Sequence, residues 1–172
     1  MSRRVRPTEM DRKSFVATFG QVFEHSPWIA AAAFDRGLPA DADRPDGLHR
    51  ALAAVLREAP EARKRALIDA HPDLAGRLAR AGRLTASSSK EQASAGLDQL
   101  TDEERTRFTV LNQAYQARFG FPFIMAVKGR GKDEILAAFE RRLAHDPATE
   151  LSTALEQIER IALLRLADLL PP

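Results

Sequence analysis

Apolar residues recur along this chain at spacings of three and four, the period of helices with one buried face. Phe15, Phe19, Val22 and Phe23 mark a first segment, capped by Asp11 and broken near Gly20. Ser26-Pro27 predicts the next start, because the serine oxygen caps orphan amides and proline at the first helical position gives up no bond. That helix runs from Trp28, a core residue, to Arg36 and stops at Gly37. Beyond a Pro/Asp loop over 38–46, Asp46 caps a helix from Leu48 to Glu58. Pro60 opens another, with the stripe Leu67, His71, Leu74, Leu78; Pro72 breaks it just after the imidazole, and Asp73 opens a short helix to Gly82.

The stretch Thr85 to Lys90 is polar and serine-rich and gives way to a helix over Glu91 to Leu100. Thr101-x-x-Glu104 is a capping box that starts a helix to Arg118, stopped by Gly120. Gly131-Lys132-Asp133 begins a helix ending near Ala144, and Asp146-Pro147 begins the last, to about Leu170. Only Phe119 to Gly129 resists the helical period, because Pro122 cannot sit inside a helix and pushes its predecessor to extended geometry. A buried connector must have its amides satisfied, so this one finds internal partners or presents N–H groups to a ligand. The pattern predicts an all-α, single-domain bundle of about eight to nine helices with a short non-helical Phe/Pro connector.

Three polar residues fall where the pattern calls for apolar or solvated ones. His71 interrupts its stripe, as a core histidine bonded to a nearby carbonyl or as a general acid/base. Arg165 interrupts Leu151, Leu155, Ile158, Ala162 and Leu169 on the final helix. A guanidinium cannot be neutralised, so it either snorkels to water or meets a carboxylate or an anionic ligand. Glu91 follows Ser87-Ser88-Ser89-Lys90, as a first-turn acid favoured by the helix dipole or as a group that orients a substrate hydroxyl. His25 reads as a pre-cap residue, and His49 and His145 as solvated helix-end residues.

Composition narrows the chemistry. Across 172 residues, hydrophobic content of 44% and charged content of 29% fit one ordinary globular domain. The formal charge is only +2, with much of the positive excess at Arg3, Arg4, Arg6, Arg12 and Lys13. Residues 1–8 therefore read as a flexible basic extension, and a nearly balanced body predicts no nucleic-acid partner. No cysteine is present, which removes disulfides, thiolate metal sites and a cysteine nucleophile. No stretch reaches the roughly 18 to 20 apolar residues of a membrane span, the first residues lack the apolar core of a signal peptide, and the last lack a peroxisomal tripeptide. A cytoplasmic protein is the expectation. His-x-x-x-His, His-Glu-x-x-His, Gly-rich phosphate loops and Gly-x-Ser-x-Gly are absent, so no metal site is expected. A histidine, a glutamate, an arginine and a loop of amides suit proton transfer on a small anionic molecule.

In this order, Phe23-Glu-His-Ser-Pro-Trp28, His71-Pro-Asp-Leu-Ala-Gly76, Ser88-x-x-Glu91-Gln92-x-x-Ala95-Gly96-Leu97, Phe119-Gly-Phe-Pro-Phe-Ile124 and Arg160-Ile-Ala-x-x-Arg165-Leu resemble 2-oxo-4-hydroxy-4-carboxy-5-ureidoimidazoline (OHCU) decarboxylase, an enzyme of urate degradation. The resemblance runs from about Phe15 to Leu169, so residues 1–172 read as one OHCU decarboxylase-like domain. It implies a carboxy-lyase without metal or organic cofactor that converts OHCU to (S)-allantoin, and a homodimer. It also implies His71 as catalytic acid/base with Glu91 and Arg165 as active-site polar residues. Pro72, Ser88, Ser89, Lys90, Glu91, Gln92, Phe123, Ile124, Met125, Ala126 and Val127 would line the substrate. The competing readings are a non-catalytic helical binding module and a lyase or hydrolase acting on a related ureido compound.

Overall fold

Eight α-helices and a short 3-10 helix account for the regular structure of the described residues, with no strand among them. The all-α class read from the periodicity is therefore correct. The computed structural model describes residues 4–76, 79 and 81–172; Leu78 of the predicted stripe, positions 77, 78 and 80 of the predicted helix from Asp73 to Gly82, and Arg3 lie outside these. The chain divides into two compact units, one formed by the part up to Ala70 with Ile158–Pro172, the other by His71–Gln157.

The first unit contains the 3-10 helix Pro7–Glu9, α1 (Arg12–Phe19), α2 (Trp28–Asp35), α3 (Pro45–Glu58), α4 (Glu61–Asp69) and the end of α8 (Pro147–Leu169). Asp11 caps α1 as expected, its carboxylate accepting from the Ser14 amide at 2.7 Å. Two other caps differ. Ser26 does not cap α2; its hydroxyl donates to the Glu24 carbonyl, and Pro27 occupies the cap position. Asp46 does not cap α3, because Pro45 already starts the helix and places Asp46 in its first turn. Pro7 and Thr8, assigned to the flexible extension, are held in place: Pro7 is buried, and the Thr8 amide and hydroxyl both reach Asp43 at 2.9 Å. Phe15, between Phe19 and Phe34 at ring separations of 5.0 and 5.3 Å, sits in a core with Ile29, Leu48, Leu52, Leu56, Leu67 and Ile68. Trp28 is not part of that core; it is half-buried, with the Arg63 guanidinium 4.8 Å over its ring. His49 is not solvated, since its Nε2 lies 2.8 Å from the Glu159 carbonyl.

The second unit contains α5 (Ala86–Ser94), α6 (Asp102–Phe119), α7 (Lys132–Leu143) and the start of α8. Thr85 caps α5 by accepting from the Ser88 amide, so the serine run lies inside the helix rather than before it. Both bonds of the Thr101–Glu104 capping box form at 3.1 Å, and Gly120, at φ +76°, ends α6 in a left-handed conformation that glycine adopts without Cβ strain. Tyr115, Phe108, Phe123 and Phe139 are almost wholly buried, each worth about 1.5–3 kcal/mol of apolar transfer. Phe123 stacks on Phe139 at 3.7 Å, which seats the predicted connector against α7.

Candidate active site

His71 lies outside α4. The helix ends at Asp69 with Ala70 as its C-cap, earlier than the stripe predicts. Pro72 is the cause: it has no N–H to continue the ladder, and its ring disfavours helical geometry at residue 71. The imidazole residue is nonetheless interior, 8% exposed, as the apolar spacing requires.

A tight turn follows it. Ala75 adopts φ +52°, a region that side chains bearing a Cβ rarely enter. Gly76 is required by space: an added Cβ would stand 2.5 Å from the Asp73 Cβ. Gln92 holds the turn with both ends of its carboxamide, Oε1 accepting from the Ala75 amide at 2.9 Å and Nε2 donating to the Asp73 carbonyl at 3.4 Å. Positions 88, 91, 92 and 95 share one face of α5, so this clamp brings the face carrying Ser88 and Glu91 to the His71 turn. Ser88 and Gln92 are buried and Glu91 is half-buried, whereas Ser89 and Lys90 are exposed. Beside the clamp lies a cavity of about 360 Å³ whose walls include Ala75, Ser89, Gln92, Ala93 and Arg105.

α6 joins the turn to the Phe/Pro connector. Asn112 donates from Nδ2 to the Leu74 carbonyl at 2.9 Å, and one turn further on Gln116 bonds the Asp73 carboxyl. Burial pushes the Asp73 carboxyl above its ordinary range, and the Gln116 bond opposes that only in part. Tyr115, between them, turns to the connector and touches Phe121 and Phe123 edge-on. Its hydroxyl donates to Glu150 at 2.6 Å, and desolvation with that carboxylate raises the phenol well above its usual range.

The connector, buried from Phe121 to Val127, finds internal partners. The Ile124 carbonyl accepts from Arg142 Nη1 at 2.6 Å and the Ala126 amide donates to Gln157 at 3.0 Å. Arg142 is 4% exposed, lies 4.2 Å over the Phe123 ring and is paired through Nε with Glu150 at 2.8 Å. Burial would raise the Glu150 carboxyl, but the Arg142 and Tyr115 bonds and the guanidinium charge outweigh it and hold it below the ordinary range. His145 Nδ1 is 3.4 Å from the same carboxylate, so His145 is less solvated than its helix-end position suggests.

Arg165 belongs to the first unit. It does not snorkel: it is 7% exposed, donates from Nη2 to Glu24 at 2.8 Å and from Nη1 to the Gln21 carbonyl at 3.2 Å. The carboxylate that its burial demands is Glu24, and the neighbouring His25 adopts φ +49°. The buried face of α8 carries Glu150, Ala154, Ile158, Ala162 and Arg165, while Leu169, assigned to that stripe from the sequence, is 42% exposed.

Asn112, Tyr115, Arg142, Glu150 and Glu24 are absent from the sequence-derived site. Two of them carry the signal that singled out Arg165: Arg142 falls on the stripe Ile135, Ala138, Phe139, and Glu150 on Ala154, Ile158. A buried cation and a buried anion on neighbouring helices imply each other.

Residues 8–167 match the family model described as OHCU decarboxylase. The chain is 42% identical over 163 residues to the 2-oxo-4-hydroxy-4-carboxy-5-ureidoimidazoline decarboxylase of Haloferax volcanii, covering 92% of this chain and 90% of that protein. It is 38% identical over 170 residues to the mouse (Mus musculus) protein of the same name, covering 96% and 92%. The crystal structure of (S)-allantoin synthase superposes with a TM-score of 0.76 at 31% identity, over 95% of this chain and 52% of that one. That of an OHCU decarboxylase in the presence of (S)-allantoin shares the fold, with a TM-score of 0.69 at 20% identity, over 95% of this chain and all of that one. The chain thus belongs to the OHCU decarboxylase family.

Proposed function

We propose that this protein decarboxylates 2-oxo-4-hydroxy-4-carboxy-5-ureidoimidazoline to (S)-allantoin in urate degradation, with His71 as general acid/base. The observation that carries the reading is the matched family over residues 8–167, with the buried His71 turn clamped by Gln92 of the Ser88–Glu91–Gln92 face. In this substrate the bond from carbon to carboxylate breaks, carbon dioxide leaves, and the electron pair passes into the adjacent carbon–nitrogen double bond. A sink carried by the substrate replaces the one that many decarboxylases take from a cofactor. The protein then has to hold the anion, desolvate its carboxylate and deliver one proton to one face.

His71 supplies that proton and Glu91 accepts from the substrate hydroxyl. Pro72, Ser88 and the Phe123–Val127 connector form the walls, with Ile124 and Ala126 anchored by Arg142 and Gln157. Ser89 borders the cavity beside the turn, and Lys90 stands exposed next to it on α5. Arg165 serves through its Glu24 pair within the first unit. We further propose a homodimer working in the cytoplasm, in keeping with the family resemblance and with a chain free of cysteine.

The deciding measurement follows (S)-allantoin by circular dichroism on freshly generated substrate. His71→Ala should fold normally and no longer speed product formation above the spontaneous reaction. Full stereospecific activity in that variant would sink the assignment. Light scattering at micromolar concentration tests the dimer.

A further inference from the structure

The turn that follows His71 is poorly supported by its own backbone. Its internal bond, from the Gly76 amide to the Asp73 carbonyl, is stretched to 3.4 Å, and Ala75 holds a left-handed conformation. Two side-chain amides hold it instead, Gln92 from α5 and Asn112 from α6. Asn112 is the less expected of the two. It is 6% exposed, its Nδ2 donates to the Leu74 carbonyl at 2.9 Å, and its equally buried Oδ1 has no hydrogen-bond partner among the described residues. An asparagine with an orphaned buried acceptor is a poor choice for stability, because a leucine would fill similar space without that desolvation cost. What leucine cannot supply is the donor to the carbonyl three residues after His71.

We propose that Asn112 is a positioning residue for His71, fixing the Leu74 carbonyl so that the strained turn presents the imidazole in its working place. This rests on the reading of His71 as the acid/base. A reacting group displaced by about 1 Å loses on the order of a hundredfold in rate, so the anchor should show in turnover rather than in substrate binding.

Asn112→Asp keeps the shape without the donor, and Asn112→Ser removes the reach without adding charge. Both should lower kcat about tenfold or more while KM stays within about threefold. The NMR resonances of the His71 imidazole should move while those of His25 and His49 stay, and Asn112→His, which places an N–H near the position of Nδ2, should recover most of kcat. If Asn112→Asp does not fold, Asn112→Ser carries the test. A folded Asn112→Ser with unchanged kcat and unmoved His71 resonances overturns the positioning role. When that result accompanies an inactive His71→Ala, only the positioning role falls; a fully active His71→Ala overturns the acid/base reading and the positioning role with it.

Discussion

The Arg165 guanidinium donates to the Glu24 carboxylate at 2.8 Å, and both side chains are almost completely withdrawn from water. Breaking a buried pair leaves one charge without its partner, which costs about 3–5 kcal/mol, whereas replacing both members with apolar residues is often neutral. Glu24→Ala should therefore lower the unfolding free energy by about that amount, and Glu24→Leu with Arg165→Leu should recover most of it. Urea denaturation of the two variants beside the parent protein measures both.

Glu150 makes stability depend on acid. Its carboxyl is held below the ordinary value of 4.5 despite burial, by bonds from Arg142 and Tyr115. An acid with a depressed folded pKa contributes stability that is complete above its unfolded pKa and is lost as pH falls through the folded one. Denaturant midpoints should fall on acidification below about 4.5, and Glu150→Gln should flatten that slope while costing about 3–5 kcal/mol at neutral pH.

Asp73 works in the opposite sense. Burial raises its carboxyl above the ordinary value of 3.8, with Gln116 opposing. A raised folded pKa gives stability that is present below the unfolded pKa and lost as pH rises through the folded one. Asp73→Asn should therefore gain stability at neutral pH and lose that advantage near pH 3.8. Unfolding curves at both pH values would contradict this if the gain were equal or absent at neutral pH.

Gly76→Ala tests the room inside the turn. The new methyl would stand 2.5 Å from the Asp73 Cβ, an atom too close to the backbone to swing away. Overpacking of this kind costs about 1–3 kcal/mol. Thermal melting should show the loss, and the activity of the folded fraction should fall with it because His71 shares the turn.

The local signals were legible and the distant partners were not. Asp11, Thr101 with Glu104, Gly120 and Asp146 act within a few residues of themselves, and each caps or ends its helix as read. Pro72 breaks α4 as expected, but the helix ends at Asp69 rather than just after His71, because the restriction proline imposes reaches back to residue 71. The helix expected from Glu91 starts at Ala86 instead, because Thr85 caps it, and Ser88 and Gln92 lie on its buried face. Arg165 could be read as needing a carboxylate, but Glu24 lies 141 positions away in the chain and no spacing rule connects them. Arg142 and Glu150 obeyed the same stripe logic. The orphaned acceptor of Asn112 emerges only from the tertiary packing.

The turn from His71 to Gly76 has almost no freedom of its own: a proline, a half-buried acid, a carbonyl claimed by Asn112, an alanine in left-handed geometry and a glycine without room for a methyl. For protein engineering this makes the hexapeptide a poor transplant. Grafted onto another helical scaffold it would bring the imidazole but leave behind the two amides that set its backbone. The smallest portable unit is the turn together with Gln92 and Asn112, three separate pieces of chain that have to travel as one.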